Sequence, residues 1–149
     1  MNDTDRLALI CESVRYCQRV RALGMPASCY SKALREPVHF LWERRNGAKD
    51  SCVSHRSIAA RGLTRATAAL VYDHAIPFSY LQNAMLSLEI VEPETIRPLL
   101  EALSSAVLIT DAENKLLNRL GLQRRMPSGW DGIDALARYT AANIDIEPM

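Results

Sequence analysis

The sequence predicts an α+β fold that is mainly helical with a minor β element, in a single compact domain spanning residues 1–149. Three observations predict it. Apolar residues recur at three- and four-residue steps through much of the chain, the period of an amphipathic helix. Glycine and proline cut the chain into short units. Residues 105–109 are the clearest strand candidate, with the apolar and β-branched density of a strand. The composition, 48% apolar and 23% charged, is that of a chain that buries a core.

In order along the chain, residues 4–23 read as a first helix, with Leu7, Ile10, Val14 and Cys17 on one stripe. Asp3 or Thr4 is its expected cap and Gly24 its end. Residues 28–45 hold Pro37, which predicts a break near Glu36 and a new helix presenting Val38, Leu41 and Trp42 inward. Residues 46–54 read as an exposed loop. Residues 54–61 read as a short helix closed by Gly62, and Thr64 as the cap of a further apolar segment, 66–72. Pro77 opens a helix over 78–88, and Pro93 opens another, interrupted or shifted by Pro98. After the 105–109 strand, Thr110 and Glu113 form the Thr-x-x-Glu pattern of a capping box. The helix it starts runs to Leu120 before Gly121, with Leu116, Leu117 and Leu120 facing inward. Residues 131–143 read as a last helix and 144–149 as a partly ordered tail.

Net charge is +1, so no overall basic signature points to nucleic acid. The distribution is uneven. Residues 44–65 carry Arg44, Arg45, Lys49, Asp50, Arg56, Arg61 and Arg65, a basic excess; residues 89–113 carry an acidic excess. Such asymmetry creates local fields that select partners, or is simply the solvated face of ordinary helices. A second basic feature, Arg124-Arg125, precedes Met126 and Trp130, residue types enriched at protein interfaces. No apolar run approaches a membrane span, and the first residues show no basic-then-apolar leader, which predicts a cytoplasmic protein. In that compartment Cys11, Cys17, Cys29 and Cys52 are expected as thiols.

One segment bears on chemistry: Asp73-His74-Ala75-Ile76-Pro77, followed later by the strand-then-helix of residues 105–120. Asp-His-x-x-Pro on a strand, with a later helix carrying Asn114 and Asn118 one turn apart, resembles part of the core of HNH endonucleases, the ββα-metal family. That resemblance implies His74 as general base, Asp73 as ligand of a divalent metal, and Asn114 or Asn118 as a further ligand. The residues also admit a plainer reading. His74 is then a half-buried histidine bonded to backbone, and Asp73 caps the helix that Pro77 opens. Cys52-x-x-His55, with Cys29 or His39, is a sparse zinc pattern, because structural zinc needs two such pairs. No P-loop, dinucleotide fingerprint or nucleophile elbow is present.

Two functions follow as expectations. The first is a small non-catalytic interaction or inhibitor protein of a bacterial or mobile-element system, of the anti-CRISPR kind. It would need no cofactor and would bind a protein or nucleic-acid partner through Arg44, Arg45, Arg56, Arg61, Arg65, Arg124, Arg125 and Trp130. The alternative is an HNH-like, metal-dependent nuclease acting through His74 and Asp73.

Overall fold

The computed structural model describes residues 1–47 and 52–149. Among them the fold is α+β, with six α-helices and one four-stranded sheet. The chain forms two compact units: residues 1–46 with 78–103, and residues 47–77 with 104–149.

The first unit is helical. It contains α1 (Asp3–Ala22), α2 (Ala27–Pro37), a π-helical segment (Val38–Glu43), α3 (Phe78–Leu86) and α4 (Pro93–Leu103). The stripe of α1, widened by Cys11, packs on Tyr30, Leu34, Val38 and Trp42 and on Leu81, Met85, Ile96 and Leu100. The cap of α1 is Asn2, not Asp3 or Thr4: its side chain accepts from the backbone N–H of Asp5 at 2.8 Å. Gly24, at φ +94°, reverses the chain after it. The break expected before Pro37 does not occur. The helix runs through Pro37 and widens, so that the N–H of Arg44 bonds the carbonyl of His39, five residues back, at 3.0 Å. A wider turn accommodates a residue that has no N–H and whose ring crowds the preceding turn. Likewise α4 continues through Pro98.

The second unit holds the sheet: β1 (His55–Ser57), β2 (Leu70–His74), β3 (Ala106–Thr110) and β4 (Ile146–Pro148), in the order β2-β3-β1-β4. β2 pairs antiparallel with β3, β1 lies parallel to β3, and β4 runs antiparallel to β1. α5 (Asp111–Arg119) follows β3 directly and α6 (Ala137–Ala141) comes later. One sheet face packs Val71, Val107, Ile109 and Ile146 against Leu117 and Tyr139; the other packs Leu70, Tyr72, Ala106 and Leu108 with Val53.

Several expectations are corrected here. Residues 54–61 are not a helix but β1 and a 3₁₀ turn (Ile58–Ala60), because partners distant in sequence supply the backbone hydrogen bonds. The segment after Thr64 makes a turn and then strand β2, and the last helix is confined to α6. The tail is a strand on the sheet edge. Of the expected loop 46–54, residues 48–51 lie outside the described residues, and Val53 is buried. Thr110 and Glu113 do form a capping box, but Leu120 is exposed rather than inward. The described cysteines are free thiols, and burial pushes those of Cys11 and Cys17 up in pKa. No helix among the described residues is long and apolar enough to cross a membrane.

Candidate functional site

Strand alternation decides where Asp73 and His74 point. Val71 and Asp73 share the face covered by α5 and α6; Leu70, Tyr72 and His74 share the other. On the covered face Asp73 Oδ2 accepts from Tyr139 Oη at 2.6 Å and from a guanidinium N–H of Arg138 at 3.0 Å. Arg138 is 1% exposed. The same guanidinium nitrogen donates to the carbonyls of His74 (2.8 Å) and Ala75 (3.2 Å), and its Nε donates to that of Leu122 at 2.6 Å. Burial first, then the Asp73 charge, pushes the Tyr139 phenol far up in pKa, so it stays a donor. Asp73 is therefore not a helix cap. It is the counter-ion of a buried arginine that ties the end of β2 to the loop before α6.

On the opposite face His74 is half-buried, and its ring meets that of Tyr72 edge-on at 5.7 Å between centroids. On α5, Asn114 is half-buried on the same side as Leu117, one turn away, whereas Asn118 is exposed. The donor set does not fit a resident divalent ion well. Asp73 already balances a guanidinium, and its neighbour His74 faces away from the side that α5 covers. No group of three or more His, Cys, Asp or Glu side chains among the described residues converges as a metal site, and the Cys52–His55 zinc pattern gathers no further ligands of these types.

The expected basic stretch divides between the units. Arg44 and Arg45 belong to the first. The guanidinium of Arg45 stacks 3.8 Å from the Trp42 ring centroid and donates to the Trp42 carbonyl at 2.7 Å. Arg44 lies 5.7 Å from the exposed Phe40 ring. In the second unit Arg56 and Arg61 both grip Glu147 of β4, their Nε atoms donating to Oε1 at 2.8 and 3.0 Å. Those bonds, Arg61's first, hold the Glu147 carboxyl down at about 2. Two of the expected binding arginines are thus engaged with a carboxylate of the sheet. Arg65 is exposed in the turn before β2.

Arg124, Arg125 and Trp130 lie together in the loop between α5 and α6. Both arginines are exposed, and neither pairs with a carboxylate among the described residues. Met126 is buried and anchors the loop. Beyond it, Trp130 Nε1 donates to the Asp134 carbonyl at 2.8 Å, and Asp131 Oδ1 accepts from the N–H groups of Ile133 (2.8 Å) and Asp134 (2.9 Å). These bonds hold the Asp131 carboxyl below its ordinary pKa. Asp134 Oδ1 accepts in turn from the N–H of Leu136 at 3.0 Å. The loop is fixed by its own side chains, and it presents Ile133 at 82% exposure. Beside it lies an open groove of about 340 Å³, floored by Ala137, Thr140 and Ala141 and walled by Pro127 and Trp130. Sequence reasoning singled out Arg124, Arg125 and Trp130 but not Ile133 or the two aspartates that fix this loop. Their signal was an isolated isoleucine between aspartates, three residues after the tryptophan.

No family model, curated protein or solved structure matches this chain.

Proposed function

We propose that the chain acts by binding a partner protein, as an inhibitor or adaptor without a reaction of its own, through the loop that carries Arg124, Arg125, Trp130 and Ile133. The observation that carries this reading is a pre-organised loop holding an isoleucine in solvent beside an aromatic-walled groove. Turn hydrogen bonds fix the loop before any partner arrives, which lowers the ordering cost of binding. An exposed apolar anchor, with two exposed arginines earlier in the same loop, suits a partner surface that offers an apolar pocket and a separate acidic patch. The test is a photo-crosslinking residue at Ile133 in the source cells. The expected result is one discrete protein adduct, lost on Arg124→Glu with Arg125→Glu. Adducts indifferent to that charge reversal, or none at all, would sink the reading; adducts to nucleic acid would replace the partner class.

A second reading, a metal-dependent nuclease of the HNH kind with His74 as general base, is favoured by one observation. β2, bearing Asp73-His74, pairs antiparallel with β3, and α5 follows at once and packs on both strands. Against it stands the engagement of Asp73 with Arg138 and Tyr139. The check is cleavage of plasmid and single-stranded DNA with Mg²⁺, Mn²⁺ or Zn²⁺. Metal-dependent cutting that disappears in His74→Ala would establish this reading; no cutting by folded protein would end it.

A further inference from the structure

The outer face of α1 carries a feature that neither reading uses. Its buried stripe faces the helical core. On the solvent side Leu9 (45% exposed), Tyr16 (39%) and Leu23 (83%), the residue that caps the C-terminus of α1, follow one another at seven-residue intervals. Seven residues bring a helix back to within about 20° of the same direction, so the three form one row, about 21 Å long. Glu12 and Arg19, also seven apart and both exposed, flank this row on the same side. Helix residues of this size do not need to project into solvent to fold α1, whose core stripe is complete without them.

The arrangement has an internal symmetry. Leu9 lies seven residues before Tyr16 and Leu23 seven after it; Glu12 lies four before and Arg19 three after. A two-fold axis through Tyr16 therefore sets Leu9 against Leu23, Tyr16 against Tyr16, and Glu12 against Arg19. The Leu9–Leu23 and Glu12–Arg19 contacts each occur twice and the Tyr16 pair sits on the axis, as a closed two-fold interface requires. A parallel pairing would instead oppose Glu12 to Glu12 and Arg19 to Arg19. The helix ends agree with the antiparallel choice: the first turn carries Asp3 and Asp5, the last Arg19 and Arg21. Antiparallel pairing places acid beside base and aligns the two macrodipoles head to tail. Glu12 also bonds Arg15 on its own helix through Oε1, and its second oxygen remains for the partner.

We infer that this face is an interface between two copies of the chain, which associate through antiparallel α1 helices about Tyr16. One helix pair is a small contact, at the low end of specific interfaces, so the dimer exchanges readily with monomer.

Sedimentation velocity from low-micromolar protein to about 1 mM tests this. The expected result is a weight-average mass rising toward twice that of the monomer. Leu23→Glu abolishes the rise, and Arg19→Glu or Glu12→Arg each weaken association about tenfold by setting like charges opposite. Mixed in equal amounts, the two charge variants regain association, because every flank pair is then complementary. These side chains are exposed, and an unchanged circular dichroism spectrum confirms that each variant is folded. Monomer throughout the range overturns the inference. So does a dimer indifferent to Leu23→Glu and Arg19→Glu, or a mixture no better than its components.

Discussion

At the scale of single residues, the side chain that most constrains the candidate site is Arg138. A guanidinium with 1% exposure is tolerated only because a carboxylate and three carbonyls receive its hydrogens. Removing Asp73 strands that charge. Asp73→Ala is expected to cost about 3–5 kcal/mol, and Tyr139→Phe, which removes one bond to a charged acceptor, about 1.5–3 kcal/mol. Urea unfolding measures both; an Asp73→Ala protein as stable as the parent would mean that Asp73 is held for a ligand rather than for Arg138. Neither partner of Asp73 was legible in the sequence. Arg138 and Tyr139 lie 65 and 66 residues away, and nothing local distinguishes them from surface residues of a helix. A second residue-scale prediction concerns Glu147, held at about 2 from an ordinary 4.5 by Arg61 and Arg56. Between those values the unfolded chain binds more protons than the folded one. Its stabilising contribution is thus complete above pH 4.5 and lost as pH falls through about 2. Glu147→Gln should be less stable than the parent at pH 7, and the gap should close toward pH 2. Parallel urea midpoints for the two proteins at every pH would refute the pairing.

At the scale of elements, legibility follows the range of the interactions. The start of α5 could be read because its signal lies within four residues. Glu113 Oε1 accepts from the N–H of Thr110 at 2.9 Å, from its hydroxyl at 3.0 Å, and from Ser57 Oγ at 2.6 Å. The last bond could not be read, since Ser57 belongs to a strand whose residues, His-Arg-Ser, show no apolar alternation. Pairing with Val107 and Leu108 on one side and Glu147 on the other makes β1 a strand. Pro37 shows the converse, a local stop signal overridden by the burial of Val38 and Trp42 immediately beyond it. The capping box thus does two things, opening a helix and binding a buried hydroxyl of another strand. Thr110→Ala is expected to cost about 1 kcal/mol, the loss of a cap. Glu113→Ala should cost more, about 1–3 kcal/mol further, because it also leaves the buried Ser57 O–H, whose oxygen still accepts from the Ala60 N–H, without an acceptor. Equal losses in chemical denaturation would show that the tie to β1 contributes nothing.

At the scale of the whole molecule, the chain is discontinuous in a way composition could not reveal. Periodicity and turn residues report each element singly and carry no record of which elements share a core. The second unit interrupts its own β2–β3 pair with residues that belong to the first. Yet the ladder continues across the gap: the N–H of Ala75 bonds the carbonyl of Ser105 at 3.0 Å, so the two ends of the inserted segment emerge side by side. A short connection can bridge that distance, and the closure entropy of a few residues is smaller than that of the segment it replaces. The second unit also has its own core, with Val107, Ile109, Leu117 and Tyr139 buried on one face and Ala106 and Leu108 on the other. A chain of residues 47–77 joined to 104–149 through a glycine–serine turn is therefore expected to fold alone. It should unfold cooperatively on heating and give dispersed amide resonances. It should also keep the Arg138–Asp73 pair, seen as a large destabilisation by Asp73→Ala in the shortened chain as in the full one. A chain without a cooperative transition would show that the sheet depends on the helical unit. The loop of Arg124, Arg125, Trp130 and Ile133 would then have to be studied only in the full protein.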